Sequence, residues 1–243
     1  MPSNFMGELL GTMFLIILGD GVVANVVLAK TKGNGSGWIV ITTGWAMAVV
    51  IGVFIAISAG APEADINPAV TIGKWLILGV YSASEAIMTM VAQLIGAFLG
   101  AVVVWLSYFN HWGATPDPGL KLAVFSTGPA ISNPLWNVVT EVVGTIVLLF
   151  GVGAIFSKAV APDGLAAGLG PYLVGMLVWG IGLSLGGPTG YAINPARDLG
   201  PRIAHQILPI PGKGPSGWGY GWIPVVGPLV GGVIGAIMWN MFF

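Results

Sequence analysis

The sequence predicts an all-α membrane protein in which six transmembrane helices and two re-entrant half-helices form an inverted 3+3 repeat around a central pore. Three observations predict this fold: an apolar composition, six apolar stretches of spanning length, and a tripeptide that occurs once in each half. Hydrophobic residues make up 56% of the 243 residues and charged residues only 7%, whereas roughly 25% is typical of soluble domains. A water-soluble fold is therefore not expected.

The six stretches are long enough to cross a bilayer, because a spanning helix needs about 20 apolar residues. They lie at 5–29, 38–60, 84–108, 136–158, 168–186 and 222–243. We predict a single domain, 1–243, whose repeat halves cover approximately 1–109 and 134–243 and are joined by a loop at 110–133. The 39 glycines are typical of tightly packed membrane helices, since small side chains let helices approach closely.

Composition also excludes several classes of function. Eight basic and nine acidic side chains nearly cancel, so no basic stripe is available for nucleic acid. With no cysteine, only two histidines and no nucleophile–base constellation, the sequence predicts no enzyme, no catalytic residue, no metal site and no cofactor. The first apolar stretch has no basic segment or cleavage site before it, and we expect it to be a retained helix.

An internal repeat relates the two halves in order and spacing. The matched segments are Glu8 to Thr12 with Glu141 to Thr145, and Asn67-Pro68-Ala69 with Asn194-Pro195-Ala196. Each half holds three spanning stretches, and because three is an odd number the second half must enter the membrane from the opposite side. Inverted repeats of this kind place the working site near the bilayer midplane, where discontinuous helices form it.

Each Asn-Pro-Ala tripeptide predicts the start of a half-helix. The segments from Asn67 to about Trp75 and from Asn194 to about His205 are too short to span. Asparagine is a favoured N-cap, and proline is tolerated at the first helical position. Inversion makes the two N-termini face each other, so their partial positive charges disfavour cations and protons at the pore centre. The asparagine amides are expected to donate hydrogen bonds to a passing hydroxyl or water oxygen.

On these two tripeptides and their repeat positions, the chain resembles the major intrinsic protein family, the aquaporins and aquaglyceroporins, over nearly its whole length. The resemblance implies one aquaporin-like channel domain, one pore per protomer and a homotetramer. It further implies that the glutamates at 8 and 141 brace the loops that lead into the half-helices by accepting backbone N–H bonds. A proton-relay role for these glutamates is the alternative.

The resemblance also implies a selectivity filter. Arg197 directly follows the second tripeptide, and because a charge in lipid is costly it should face the aqueous pore. Tyr191, Gly182 and Trp45 take the other filter positions by motif. Met47 is the alternative to Trp45, depending on how many residues separate the second helix from the first tripeptide.

The filter composition favours the glycerol-conducting branch of the family. An aromatic corner opposite a glycine lets carbon-bound hydrogens slide along the rings while hydroxyls bond the arginine and carbonyls. Water-only relatives typically have histidine and a small side chain there. Asp198, Arg202 and the pair Pro224-Val225 also resemble this branch, and for Asp198 we expect a structural role in holding loops.

Three acidic residues depart from the family pattern. Asp65 stands where the family usually has a histidine, and with Glu63 it is a vestibule candidate that could repel anions and concentrate protons at an entrance. A solvated loop charge is the alternative for Glu63. Asp20, inside the first spanning stretch, has Gly153 as its repeat counterpart, and the sequence assigns it no role.

The resulting hypothesis is a passive, energy-independent channel that excludes ions and protons. Its expected partners are the lipid bilayer and small neutral solutes. The solutes are glycerol and similar polyols and water, with urea, dihydroxyacetone and neutral lactic acid as further candidates. The expected location is a cell membrane, multi-pass, in the inner or plasma membrane of a bacterium. The alternatives are a secondary active transporter, a water-selective aquaporin, and a membrane structural protein with an occluded pore.

Overall fold

The structure is a computed structural model that describes residues 3–243, which form helices and connecting turns without a β-strand. In chain order the helices are α1 (Asn4–Val27), α2 (Trp38–Ser58), α3 (Pro68–Leu76), α4 (Ala83–Ser107), α5 (Phe109–Ala114), α6 (Pro118–Phe125), α7 (Pro134–Phe156), α8 (Leu169–Leu185), α9 (Pro195–Ile207), α10 (Trp218–Gly221) and α11 (Ile223–Phe242).

Six of these segments correspond to the six predicted spans. The helices α1, α2, α4 and α7, together with the continuous segment Trp218–Phe242, are long and apolar enough to cross a membrane. The sixth, α8, is an apolar helix of 17 residues. The all-helical fold with spanning helices is thus confirmed, and the predicted bounds differ from the observed ones by a few residues at most ends.

Two short helices, α3 and α9, lie where the sequence predicts half-helices. They have nine and 13 residues, and each is held by the last spanning helix of the other half: α3 packs on α11 and α9 packs on α4. The contacts are close because glycines lie at them. A Cβ added to Gly232 would lie 2.3 Å from the Ala69 carbonyl oxygen, and one added to Gly200 would lie 2.7 Å from Cβ of Ala97.

The chain path follows from three crossings per half. The helices α1, α2 and α4 carry the chain across three times, and α7, α8 and α11 carry it across three times more, so the start of α1 and the end of α11 lie on one face. We call this the terminal face. The loop before α3 enters from the terminal face and the loop before α9 enters from the opposite face, as the inverted repeat requires.

The predicted loop at 110–133 is wrong over about half its length, because α5 and α6 occupy much of it. Asp117 caps α6 by accepting the Gly119 N–H at 2.7 Å, and a proline takes the first helical position. Trp112 is fully buried and stacks on Phe125 with ring centroids 5.4 Å apart. This packing fixes the connection against the bundle and makes it helical.

Candidate pore and filter

Two asparagines join the half-helices at their N-termini. The Asn67 side-chain oxygen caps α3 by accepting the Ala69 N–H at 2.9 Å, and Asn194 caps α9 by accepting the Ala196 N–H at 3.0 Å. Each amide nitrogen donates across the repeat axis, Asn67 to the Ile193 carbonyl and Asn194 to the Ile66 carbonyl, both at 2.8 Å. A primary amide has two N–H donors, so one donor of each asparagine remains for another acceptor.

The segments that lead into the half-helices have an unusual backbone conformation, which is the same in both halves. Ala64 and Ile66 have φ values of 43° and 44°, and Tyr191 and Ile193 have 39° and 43°. The left-handed region costs a non-glycine residue about 1–3 kcal/mol, and a β-branched side chain makes it rarer still. Such a conformation persists only where the surroundings hold it.

Two buried glutamates hold these segments. Glu8 accepts the N–H groups of Asp65 and Ile66 at 2.7 and 2.8 Å, while Glu141 accepts those of Ala192 and Ile193 at 3.0 and 2.8 Å. Glu8 additionally accepts a hydrogen bond from Gln93 at 2.8 Å. Both glutamates are fully buried, and their carboxylate oxygens are occupied by these donors.

A cavity of about 430 Å³ runs past the paired asparagines. It begins near Glu63 and Lys74, on the side of the terminal face, and reaches Trp45, Tyr191 and Arg197. One wall is formed by the two loop segments, residues 62–67 and 191–194. The other wall is apolar and is formed by side chains of α2, α7 and α8, among them Val49, Val53, Leu148, Val152, Val174 and Val178.

Arg197 lies at the end of this cavity and is 8% exposed. Its guanidinium carbon is 3.9 Å from the Trp45 ring centroid, the geometry of a cation–π contact. The guanidinium Nη1 lies 3.7 Å from an Asp20 carboxylate oxygen. Gly19 makes room for the tryptophan, because a Cβ there would lie 2.2 Å from the ring.

The structure brings the other predicted filter residues to the same place. A Cβ on Gly182 would lie 2.8 Å from the Tyr191 ring, so the glycine leaves space for the tyrosine. The Gly182 carbonyl accepts the Trp38 indole N–H at 3.0 Å, and the Trp38 ring packs edge-on against Tyr191. Met47, the alternative to the tryptophan at 45, is 42% exposed and lies outside the cavity lining.

Asp198 lies in a closed network behind α9. Its carboxylate binds Arg202 through two hydrogen bonds of 2.7 and 3.0 Å and accepts the backbone and hydroxyl groups of Thr127 at 2.7 and 2.8 Å. The Arg202 guanidinium also donates to the carbonyls of Thr127 and Ser216, both at 2.9 Å. The network ties the segments around 127 and 216 to the half-helix.

Glu63 and Asp65 are not free acids. Lys74 lies 2.8 Å from a Glu63 carboxylate oxygen and 2.6 Å from one of Asp65, so one positive charge offsets part of the two negative ones. The other Asp65 oxygen accepts the hydroxyls of Thr71 and Tyr81 at 2.8 and 2.9 Å. Both acids border the cavity, but an uncompensated acidic vestibule does not fit their pairing.

The Tyr81 hydroxyl stays a donor in this cluster. It lies in the connection between α3 and α4, where burial and the Asp65 carboxylate raise the pKa of the phenol. The proton therefore remains on the tyrosine oxygen, as the hydrogen bond to the carboxylate requires.

Sequence reasoning missed several residues of the site. The lysine at 74 and the tryptophan at 38 gave no motif signal, because their importance depends on which loop each meets after folding. Thr127 and Gln93 were missed for the same reason. A three-residue cluster of His, Asp or Glu suited to a metal does not occur in the part of the chain that the structure describes.

Comparison with known proteins identifies the family. Residues 2–239 match the model of the family described as major intrinsic protein. The chain is 56% identical over 241 residues to the probable glycerol uptake facilitator protein of Thermotoga maritima, covering 99% of this chain and 100% of that protein. It is 51% identical over 242 residues to the glycerol uptake facilitator protein of Streptococcus pneumoniae, with full coverage of both.

A solved structure agrees with the sequence comparison. The X-ray structure of the aquaglyceroporin from Plasmodium falciparum superposes with a TM-score of 0.85 at 28% sequence identity, covering 98% of this chain and 95% of that one. Together with the spanning helices and the cavity, these matches make the protein a multi-pass membrane channel rather than an enzyme. The chain belongs to the major intrinsic protein family.

Proposed function

We propose that this protein is a passive channel for glycerol and similar small polyols, with water as a second permeant. The single observation that carries the proposal is the placement of Arg197, Trp45 and Tyr191 together at the end of a cavity that passes the paired asparagines. The relatives at 51–56% identity, whose names describe glycerol uptake, support the same solute.

The cavity suits a solute with a polar and an apolar side. A polyol presents hydroxyls on one edge and carbon-bound hydrogens on the other. The cavity is lined by two loop segments, which carry backbone polar groups, and by apolar side chains of the spanning helices. Arg197 lines the filter end, and its guanidinium donates no hydrogen bond to the described part of the chain. The guanidinium N–H groups that face the cavity are therefore available to a hydroxyl, while the rings of Trp45 and Tyr191 favour the apolar edge.

Ion and proton exclusion is proposed from the centre of the cavity. The N-termini of α3 and α9 meet there, and each carries about half a positive charge. Arg197, whose charge Asp20 offsets in part, adds a positive group at the filter end. A water that accepts one N–H from Asn67 and one from Asn194 must turn its own hydrogens outward, which interrupts a chain of proton-donating waters.

The alternatives explain fewer observations. A secondary transporter is expected to offer its coupling ion an acidic group at the substrate site. The carboxylates of Glu8 and Glu141 are occupied by backbone N–H groups, and Asp20 faces Arg197 and lies outside the cavity lining. A water-selective filter would place a histidine at the constriction, and this chain has tyrosine and tryptophan. Urea, dihydroxyacetone and neutral lactic acid are small enough and uncharged, and we include them as candidate further permeants.

We also propose the remaining organisation that the family resemblance implies: one channel domain over residues 1–243, four protomers per assembly, and the plasma membrane of a bacterium. The exposed apolar side chains of the spanning helices, such as Ile51, Val143 and Val230, suit contact with lipid or a second protomer. The bacterial origin of several relatives supports the location.

The test is stopped-flow light scattering on proteoliposomes that compares water, glycerol, urea and lactic acid at low pH. Wild-type protein should admit glycerol far faster than protein-free vesicles do. Trp45→Ala should change the ratio of glycerol to water permeability about fivefold or more, whereas Met47→Ala, on the outer surface of the same helix, should leave it unchanged. Rapid water entry with no glycerol entry would contradict the proposal.

A further inference from the structure

Asp20 is a buried carboxylate for which the repeat offers no counterpart. It lies in α1, is 0% exposed, and neither of its side-chain oxygens has a hydrogen-bond partner among the described residues. The matched position in the second half is Gly153, where a Cβ would lie 2.5 Å from the Trp239 ring. At this position the second half has a glycine that packs against an aromatic ring, whereas the first half has a buried carboxylate.

The charge faces the filter. The nearest cationic atom is Nη1 of Arg197, 3.7 Å from Asp20 Oδ1, and Nη1 is itself buried with no hydrogen-bond partner. The same guanidinium lies 3.9 Å above the Trp45 ring. Two elements, α1 and α2, therefore each contribute one group that contacts the Arg197 side chain of α9.

We propose that Asp20 is a positioning residue for the selectivity filter, which acts on the permeating solute only through Arg197. The inference rests on the proposed glycerol-type function and deepens it. Asp20 lies outside the cavity lining formed by the described residues, so it cannot touch a solute there, whereas Arg197 lines the cavity.

The geometry gives the reason for a dedicated positioning group. Attraction between the carboxylate and Nη1 draws that end of the guanidinium out of the cavity, and the Trp45 face fixes its plane. The other guanidinium N–H groups are then left to meet a hydroxyl at a constant place. A polyol must satisfy a donor and an aromatic ring at the same moment, while water needs only the donor. Loss of Asp20 should thus impair glycerol more than water.

The experiment is the glycerol-to-water permeability ratio of Asp20→Asn in proteoliposomes. This ratio does not depend on how many channels fold or insert, so a purely structural defect would not move it. We expect the glycerol-to-water permeability ratio to fall about fivefold, which corresponds to about 1 kcal/mol because a tenfold change corresponds to 1.4 kcal/mol. Asp20→Glu, which keeps the charge, should retain more of the ratio. Thr12→Val, a buried polar change on the same helix, should leave the ratio as in wild type.

A double-mutant cycle decides whether the effect passes through Arg197. In an Arg197→Ala background, Asp20→Asn should cause no further change in the ratio. An unchanged ratio in the single variant, or an equal fall in the Arg197→Ala background, would overturn the inference. If wild-type protein itself carries no glycerol, the proposed function fails instead, and the two failures are distinguishable in one data set.

Discussion

In the first half of the molecule Glu8 holds the backbone of residues 65 and 66, and in the second half Glu141 holds residues 192 and 193. Left-handed residues stand at matching places in the two loops. The charged side chains around these loops differ. The first half has Val70 where the second has Arg197. The first half pairs Lys74 with two loop acids, whereas the second pairs Arg202 with Asp198 within one helix.

The shared backbone and the unshared charged side chains have different roles in the molecule. The duplicated backbone has matching hydrogen bonds on both sides of the centre, since each half-helix cap donates to the opposite loop. We propose that the unshared charge of Arg197 makes one end of the cavity a filter. On this proposal, selectivity depends on the few positions at which the two repeats differ.

The largest expected effect concerns the buried ion pair of the second half. Arg202→Met should cost about 3–5 kcal/mol of stability, because it leaves Asp198 buried without its cation. Lys74→Met in the first half should cost less, since Asp65 keeps the hydroxyl donors of Thr71 and Tyr81 and the Glu63 side chain is 40% exposed. Unfolding of the detergent-solubilised protein measures both. An equal or greater loss for Lys74→Met would contradict the proposed difference between the halves.

The next effect tests the shared backbone. Glu141→Gln replaces an acceptor with a donor against the Ala192 and Ile193 N–H groups, and about 2 kcal/mol should be lost. Glu8→Gln should lose at least as much, because Glu8 also accepts from Gln93. Val139→Ala, an exposed position beside Glu141, is the control for unfolding measurements. If only one of the two substitutions lowers the free energy of unfolding, the two loops are not held in the same way.

A functional effect follows from making the halves alike. Arg197→Val gives the second half the residue of the first, and we expect the glycerol-to-water ratio to change about tenfold because a hydroxyl loses its charged donor. Val70→Ala, the matched position, lines the cavity but holds no charge and should change the ratio by less than about twofold. Stopped-flow permeabilities of the two variants test this. Similar ratios for both would mean that the filter does not depend on the arginine.

The smallest effect is expected at the cavity mouth. Glu63→Gln removes a partly exposed partner of Lys74, so stability should change by less than about 1 kcal/mol and glycerol flux should stay as in wild type. Lactic acid uptake at low pH provides the second readout. A marked fall in that uptake would restore the interpretation of Glu63 as a vestibule charge.

Much of the fold was predictable because the bilayer imposes it. Spanning lengths and apolar runs identified the six crossings, and the two Asn-Pro pairs identified both half-helix starts at Pro68 and Pro195. The connection at 109–125 was not predicted, since its helices depend on the burial of Trp112 against Phe125 rather than on a spanning length. Packing of a connecting segment against the bundle is difficult to predict from a single sequence.

The side-chain partners were harder to predict than the positions. In the sequence, the lysine at 74 looks like an ordinary loop charge. Only the folded half-helix brings it next to the acids at 63 and 65. The aspartate at 20 finds Arg197 from 177 residues away in the chain. Left-handed φ values at Ile66 and Ile193 contradict local preference and exist only because distant glutamates hold them.

The most direct test of the account records glycerol entry and internal pH together in one preparation of proteoliposomes, over a series of glycerol gradients. We predict fast glycerol entry that rises linearly with the gradient, with proton flux no greater than in protein-free vesicles. Entry that saturates and carries protons with it would contradict the account and favour a coupled transporter.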